Sequence, residues 1–127
     1  MKKFLILITV AAVAICLVAG CAGEVKTYGD PEQPIKAGVN EEFIIALGAN
    51  PTTGYDWQES FDNTMLTLVD KTYKTAEEAE HEVIGAGGID YFRFKALKTG
   101  NTEITMVYKR AWEEEIAEQK VFTVNIK

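Results

Sequence analysis

Alternation of apolar and polar residues constrains this chain more than any other feature, because it recurs in short segments separated by turn-forming residues. In one segment Phe43, Ile45 and Leu47 fall on one face, and Ile44 and Ala46 fall on the other. A period of two is the pattern of a β-strand, and several short strands at regular spacing predict an all-β protein built as an antiparallel β-sandwich. The predicted strands, lettered B to G, cover residues 41–48, 55–59, 64–73, 89–97, 101–109 and 119–127.

The N-terminal residues have the composition of a targeting segment. Lys2 and Lys3 precede an apolar run over residues 4–18. The run ends in the aliphatic Val18, and two small residues then precede Cys21. We therefore expect residues 1–20 to be a lipoprotein signal peptide and Cys21 to be the lipid-modified N-terminus of the mature protein. The alternative is an uncleaved single-span anchor, although this run is shorter than the roughly twenty apolar residues that cross a bilayer. Either alternative places the domain outside the cytoplasm, at the cell envelope and anchored to a membrane.

Residues 21–32 are predicted to be a flexible tether from the lipid to a single domain over residues 33–127. The stretch up to Pro34 contains glycine, aspartate and proline with little apolar periodicity, as flexible spacers do. The remaining length suits one compact domain, and we expect a monomer.

The cysteine count and the charge exclude several functions. Cys16 would leave with the signal peptide and Cys21 would carry lipid, so no thiol would remain for a disulfide, a nucleophile or a metal site. With 19 acidic and 13 basic side chains, the chain has a formal net charge of −6, which disfavours nucleic acid as a partner. We expect no metal and no cofactor.

The unusual loops of this chain are predicted to share one end of the sandwich. When each strand crosses the sandwich once, loops separated by two strands emerge at the same end. The B-C, D-E and F-G loops therefore lie together, and the connections near residues 38–40, 62–64 and 98–101 lie at the opposite end. The three loops contain, in chain order, Asn50-Pro51-Thr52-Thr53-Gly54-Tyr55, Gly85-Ala86-Gly87-Gly88 and Arg110-Ala111-Trp112.

The B-C loop has a specialised and an ordinary interpretation. Pro51 fixes its φ angle, and Gly54 permits a backbone conformation that other residues avoid. Thr52 and Thr53 then either sit on a pre-shaped tip that contacts a partner or simply bond to the backbone of a tight connection.

The other two loops also have two interpretations each. Gly85, Gly87 and Gly88 allow either a close backbone approach to another surface or a bulge into the next strand, and the absence of a following helix argues against a phosphate cradle. Trp112 lies in a polar setting, so it is either an interface anchor or a ring folded back over the edge of the sandwich.

Residues 72–83 form the one segment with helical character, and Thr75 is its candidate N-cap. The segment is too polar for the core, and a solvated loop is favoured over a surface that steers a partner. His81, the single histidine, lies there without a Ser-His-Asp set or a Gly-x-Ser-x-Gly elbow, so the chain is predicted not to be an enzyme.

Together the three loops resemble those of the chagasin family, the I42-type inhibitors of papain-like cysteine proteases. Asn-Pro-Thr-Thr-Gly is complete at residues 50–54, Gly-x-Gly-Gly is complete at residues 85–88, and Arg-Pro-Trp is represented by Arg110-Ala111-Trp112. The resemblance spans about residues 33–127 and implies an immunoglobulin-like sandwich with Greek-key-type connections.

The resemblance also implies a wedge that reversibly fills the cleft of a papain-like cysteine protease. Thr52 and Thr53 would approach the catalytic Cys and His of the enzyme. Gly87 and Gly88 would follow the cleft by backbone contact, and Trp112 would pack on aromatic surface at its far side.

Two features bear on how this chain would differ from such an inhibitor. Ala111 replaces the proline of the family and should loosen the F-G tip, and the acidic residues 113–115 would disfavour enzymes with acidic cleft rims. The alternative function is a lipid-tethered immunoglobulin-like module for adhesion or envelope scaffolding, whose partner binding would not depend on Thr52 or Trp112.

Overall fold

The protein is a sandwich of two four-stranded sheets. The computed structural model describes residues 25–79 and 87–127. One sheet has the order β1-β3-β6-β5 and the other has the order β2-β8-β7-β4, so the chain passes repeatedly between the sheets, and the predicted sandwich is confirmed. The strands are β1 Lys26–Tyr28, β2 Ile35–Ala37, β3 Glu42–Ala49, β4 Tyr55–Phe61, β5 Leu66–Thr75, β6 Gly88–Ala96, β7 Gly100–Arg110 and β8 Ile116–Ile126.

Strands β3 to β8 correspond to the predicted strands B to G, and alternate residues from them fill the space between the sheets. The predicted inward set of β3, Phe43, Ile45 and Leu47, is buried, and so is the facing alternation of β7 at Ile104 and Met106. Burial of apolar surface at about 25 cal/mol per Å² is the main source of stability in a domain without disulfides.

Strand β1 lies within residues 21–32, which were predicted to be a flexible tether, whereas β2 lies within the predicted domain. β1 pairs in parallel with β3, and Tyr28 is buried with its ring edge-on to Phe43. β2 pairs in parallel with β8, so each sheet is mixed rather than purely antiparallel. Strands of three residues are too short to show a periodic pattern, and they are stabilised by pairing with a long neighbour rather than by local preference. Residues 1–20 and Cys21, assigned above to the signal peptide and the lipid, lie outside the described residues.

A short helix, α1 (Ala76–Ala79), follows β5 directly. The predicted N-cap is confirmed: Thr75 Oγ1 accepts the N–H of Glu78 at 3.3 Å and donates to Glu78 Oε1 at 3.1 Å. This is the side-chain arrangement that satisfies the free N–H groups at the start of a helix. His81 lies outside the described residues.

Among the described residues, one carboxyl group is buried between the sheets. Asp90 of β6 is only 4% exposed, and burial raises its pKa to about 6, against the lowering effect of the nearby Lys71 charge and with a smaller raising effect from Asp56. Lys71 of β5 reaches across to β4, with Nζ 3.3 Å from Asp56 Oδ2 and 3.2 Å from the carbonyl oxygen of Trp57. This lysine therefore links the two sheets at the edge where Asp90 is buried.

We expect Asp90→Asn to remove a pH dependence of stability. The pKa of Asp90 is higher in the folded protein, about 6, than its ordinary value of 3.8, so the folded state holds the proton more tightly. Its contribution to stability is fully present below about pH 4 and is lost as the pH rises through about 6. The variant should match the wild type in acid and be more stable by up to about 3 kcal/mol at about pH 8. Melting temperatures across this range check the prediction, and parallel curves for the two proteins would contradict it.

Candidate functional site

Three turns meet at one end of the sandwich, here called the loop pole and defined by residues 50–54, 87–88 and 110–113. The strand register brings these turns to the same end of the sandwich. Ala49 at the end of β3 pairs with Gly88 at the start of β6, and Tyr55 at the start of β4 pairs with Arg110 at the end of β7. The contacts described below join the turns directly. The predicted convergence of the B-C, D-E and F-G loops is therefore seen in the described residues, whereas Gly85 and Ala86 lie outside them.

The β3–β4 turn is closed by hydrogen bonds among its own residues. Pro51–Thr53 form a single 3₁₀ turn that ends at Gly54, whose φ of +82° is in the left-handed region. The carbonyl oxygen of Asn50 accepts the N–H of Thr53 at 3.2 Å and its Oγ1–H at 2.7 Å. Thr52 Oγ1 donates to Asn50 Oδ1 at 2.6 Å. The two threonines make the local bonds of the ordinary interpretation and are also exposed, which leaves them accessible to a partner.

The β7–β8 turn places a tryptophan on the β3–β4 turn. The N–H of Glu113 bonds to the carbonyl oxygen of Arg110 at 3.2 Å, which puts Ala111 and Trp112 at the two central positions of a four-residue turn. Trp112 is 72% exposed, yet one edge of its ring covers Gly54 so closely that a Cβ on Gly54 would overlap Trp112 Cη2. One edge of the Trp112 ring thus contacts the β3–β4 turn, and most of the ring surface is exposed.

Arg110 ties the same two turns together. Its Nε donates to the carbonyl oxygen of Thr53 at 3.1 Å, and its Nη1 lies 3.1 Å from Glu113 Oε1. The guanidinium carbon lies 4.5 Å from the ring centre of Tyr55 and 5.9 Å from that of Trp112, which are distances for cation–π attraction. Arg110 is thus committed to contacts within the protein, and it acts as a positioning residue for the loop pole.

A layer of aromatic rings supports the loop pole from below. Tyr55 stacks on Tyr108 with 5.3 Å between ring centres, and Tyr108 packs against Trp57 at 4.8 Å. Tyr108 Oη accepts the N–H of Asn50 at 3.1 Å, and Trp57 Nε1 donates to the carbonyl oxygen of Gly48 at 2.8 Å. Tyr55 was predicted to belong to the site and serves mainly as support. Tyr108 and Trp57 were not predicted to belong to the site, although both lie on the alternating strands that lead into the loops.

The described glycines of the β5–β6 loop permit close packing. Gly87 has a φ of +95°, and a Cβ there would lie 2.8 Å from the carbonyl oxygen of Ala49 and 3.1 Å from the Cα of Asn50. A Cβ on Gly88 would overlap the carbonyl oxygen of Lys74 on the neighbouring strand. Gly88 is in register with both of its neighbours, so the structure has no bulge at this point. The backbone of this loop is thereby held against the β3–β4 turn.

Two other kinds of feature are absent from the described residues, 25–79 and 87–127. Within these ranges no three side chains of the His, Cys, Asp and Glu types stand where they could share a metal ion. Nor does a helix in these ranges have the length and apolar character needed to cross a membrane.

Comparison with known proteins identifies the class. Residues 36–126 match the profile of the chagasin family of peptidase inhibitors, I42. Chagasin of Trypanosoma cruzi is 30% identical over 95 residues, which cover 70% of this chain and 83% of that protein. Amoebiasin-2 of Entamoeba histolytica is 29% identical over 100 residues, which cover 79% of this chain and 80% of that protein. The chain therefore belongs to the chagasin family of peptidase inhibitors, as its loop motifs predicted.

Solved structures agree on the fold. A crystal structure of a cysteine protease inhibitor from Entamoeba histolytica aligns with a TM-score of 0.66 at 24% identity, over 84% of this chain and 100% of that one. The solution structure of amebosin aligns with a TM-score of 0.58 at 27% identity, over 83% of this chain and 100% of that one. The immunoglobulin-like sandwich implied by the family resemblance is confirmed.

Proposed function

We propose that this protein is a reversible inhibitor of papain-like cysteine proteases and that the loop pole fills the active-site cleft of the enzyme. The observation that carries the proposal is the contact between separate turns: Trp112 lies on Gly54, and Gly87 lies against Asn50. Turns joined in this way form one edge that can enter a groove as a unit. Membership of a family of peptidase inhibitors supports the same conclusion.

Thr52 and Thr53 lead this edge and would come nearest to the catalytic thiolate. The carbonyl oxygens of Asn50 and Pro51 each accept an N–H within the turn, and that of Thr53 accepts the Nε–H of Arg110. Cleavage requires a carbonyl carbon in attack geometry beside the nucleophile. A 3₁₀ turn in which the carbonyl oxygens of Asn50, Pro51 and Thr53 are already bonded resists rearrangement into the extended form of a substrate, so the tip would block the cleft without being cut.

The same hydrogen bonds favour affinity because the tip is ordered before it binds. Association costs about 0.5–1.5 kcal/mol for each flexible side chain that becomes fixed. Thr52 and Thr53 are already bonded to Asn50, and Pro51 has a fixed φ angle, so little of this cost remains for the β3–β4 turn.

The two flanking turns would extend the contact along the cleft. Gly87 is exposed and has no side chain that could hold the enzyme away from its backbone, whereas Gly88 is buried beside it, and Trp112 offers a large free ring surface. Tryptophan is one of the residue types enriched at the hot spots of protein interfaces. The enzyme-binding residues of the proposal are Asn50, Pro51, Thr52, Thr53, Gly54, Tyr55, Gly85, Ala86, Gly87, Gly88, Arg110, Ala111 and Trp112.

We expect Ala111→Pro to strengthen inhibition. Ala111 occupies the second position of the Arg110–Glu113 turn, where the fixed φ of proline is favoured. The substitution should raise the stability of the domain by about 0.4–1 kcal/mol. It should also slow dissociation from a protease several-fold, because the more rigid turn gains less conformational entropy when it leaves the enzyme. Dissociation rates and melting temperatures of the two proteins check this. A faster dissociation for the proline variant would show that the turn must move when it binds.

The proposal includes a lipid anchor on Cys21, which would hold the inhibitor at the outer side of a membrane in the cell envelope. Its support is the charged start, the apolar run and the small residues before Cys21 in the sequence. Metabolic labelling with a fatty acid tests it: label should enter the wild type and be absent from Cys21→Ala.

Titration of papain with the unlipidated domain from residue 22 onward tests the inhibitory function. This domain keeps β1, which begins at Lys26. Activity should fall in proportion to the inhibitor added until the two proteins are equimolar. If papain and several related enzymes all kept full activity, the alternative of an adhesion or scaffolding module would be favoured.

A further inference from the structure

Lys71 joins the two sheets at an edge where no backbone ladder does. β4 and β5 are the last strands of different sheets. The Nζ of Lys71, on β5, lies 3.4 Å from Asp56 Oδ1, 3.3 Å from Asp56 Oδ2 and 3.2 Å from the carbonyl oxygen of Trp57, both residues of β4. It also lies 5.0 Å from the ring centre of Phe92 on β6, which is a distance for cation–π attraction. One ammonium group thus contacts β4 and β6.

The β4 side of this contact supports the loop pole. Trp57 Nε1 donates to the carbonyl oxygen of Gly48 at 2.8 Å, and its ring packs on Tyr108 with 4.8 Å between ring centres. Tyr108 Oη accepts the N–H of Asn50 at 3.1 Å. Trp57 therefore connects Lys71 to the first residue of the β3–β4 turn, through contacts that are each on the page above.

Asp90 of β6 is a second possible partner for the same ammonium group. It is 4% exposed, and the charge of Lys71 lowers the pKa of its carboxyl group against the larger raising effect of burial. Leu47 of β3 and Tyr73 of β5 are in register with Asp90 on either side. Leu47 is apolar and Tyr73 offers a phenol hydroxyl, so neither neutralises a carboxylate. Because a buried charge without a counter-charge is costly, an ionised Asp90 would draw Lys71 toward itself.

The opposite sheet adds no competing cation for Asp90. The titratable side chains of β4 and β7 around this edge are Tyr55, Asp56, Tyr108, Lys109 and Arg110. The one whose charge acts on Asp90 is Asp56, which raises the pKa of the Asp90 carboxyl group further. Arg110 is bonded within the loop pole, and Lys109 is paired in register with Asp56 on the strand beyond. Among the described residues, Lys71 is therefore the cation that Asp56 and Asp90 share.

We propose that Lys71 is a positioning residue for inhibition, whose ammonium group holds β4 beneath the loop pole while Asp90 is neutral and moves toward Asp90 when that carboxyl group is ionised. The proposal rests on the inhibitory function proposed above. Two alternative partners for one ammonium group supply the two states that a switch requires.

The direction of the pH effect follows from the charge of Asp90. Its pKa is about 6 in the folded protein, so the carboxyl group is mostly neutral below that pH and mostly ionised above it. Lys71 holds β4 in the first range and releases it in the second. The inhibitor should therefore bind a papain-like protease more tightly in mildly acidic than in mildly alkaline solution.

The indole N–H signals of the free protein test the change of partner without any enzyme. The chain has two tryptophans, so Trp112→Phe identifies the NMR signal of Trp57. Trp57 both accepts from Lys71 and donates to Gly48, and its signal should shift with a midpoint near pH 6. The shift should be absent from Asp90→Asn and from Lys71→Met. No shift in the otherwise unchanged protein, or the same shift in either variant, would overturn the proposal.

Dissociation constants for papain between about pH 5 and pH 8 test the consequence for binding. Dividing the wild-type constant by that of Asp90→Asn at the same pH removes the titration of the enzyme itself. The quotient should rise several-fold with pH. Lys71→Met should bind more weakly than the wild type in acid and show no such rise, whereas Lys71→Arg, which keeps the cation, should retain it.

The two measurements distinguish failure of this proposal from failure of the proposed function. A constant quotient in proteins that inhibit at every pH would overturn the role of Lys71 and leave the inhibitory function standing. If none of the proteins inhibited papain at any pH, the inhibitory function and the role of Lys71 in it would both be overturned. Melting temperatures show whether each variant is folded, and if Lys71→Met is not, Lys71→Arg and Asp90→Asn decide the matter.

Discussion

Trp112→Ala should raise the dissociation constant for a papain-like protease by at least about 30-fold without unfolding the domain. The side chain is 72% exposed, so its removal takes little from the core, and the change in stability should stay within about 0.5 kcal/mol. A tryptophan that anchors an interface contributes about 2 kcal/mol or more, and each 1.4 kcal/mol is a factor of ten in affinity. The loss should come mainly from faster dissociation, because truncated interfaces usually dissociate faster rather than associate more slowly.

Leu97→Ala provides the matched control for this prediction. Leu97 is also a large exposed hydrophobic residue, at 40%, but it lies in the β6–β7 turn, at the end of the sandwich away from the loop pole. Its replacement should leave inhibition by the soluble domain unchanged. The account would be contradicted if the two variants inhibited equally well, or if Trp112→Ala lost its fold as judged by its melting temperature.

Gly54→Ala should weaken inhibition at least as much as the loss of the tryptophan. Gly54 has a φ of +82°, which costs other residues about 1–2 kcal/mol. A Cβ at this position would also overlap Trp112 Cη2, so the ring must leave its place on the β3–β4 turn. The variant should therefore melt a few degrees lower and bind about 30-fold or more weakly, since its anchor is displaced and its leading turn is strained.

A double-mutant cycle separates the two causes. If Gly54 acts by seating the tryptophan, Gly54→Ala should cost much less affinity in the Trp112→Ala background than in the wild type. Strictly additive losses in binding free energy would instead mean that the Gly54–Trp112 contact plays no part in inhibition. Both single variants and the double variant are measured against the same enzyme preparation.

Much of this architecture is readable in the sequence, since the inward residues of β3 alternate without a break and turn residues bound each long strand. The position of three loops at one end follows from counting the strands, and the Thr75 cap follows from a local side-chain preference. Each of these depends on residues that are close together in the chain. These features are present in the folded protein because burial and local hydrogen bonding favour the same conformation at these residues.

The features that were missed depend on partners that are distant in the chain. β1 and β2 exist because β3 and β8 offer them a free edge, and nothing within residues 26–28 or 35–37 signals that edge. Arg110 bonds to Thr53, which lies 57 positions away, so the cross-link between the turns could not be found by periodicity. Asp90 is another case, because its burial depends on the packing of the opposite sheet.

Arg110 also explains how a turn without the proline of the family can keep its shape. The guanidinium group bonds to both turns and lies over the ring of Tyr55, so the position of Trp112 does not depend on the backbone of Ala111 alone. In this protein, hydrogen bonds and aromatic contacts therefore give the turn part of its order, and Ala111→Pro should add to it.

The most direct test of the central claim is a titration of papain with the wild-type domain and with a variant in which Thr52, Thr53 and Trp112 are all replaced by Ala. The account predicts stoichiometric inhibition by the wild type and inhibition weaker by about 100-fold or more for the variant, because its interface anchor and its leading side chains are gone. The melting temperatures show whether both proteins are folded. Equal inhibition by the two folded proteins would contradict the claim that this protein inhibits through the loop pole.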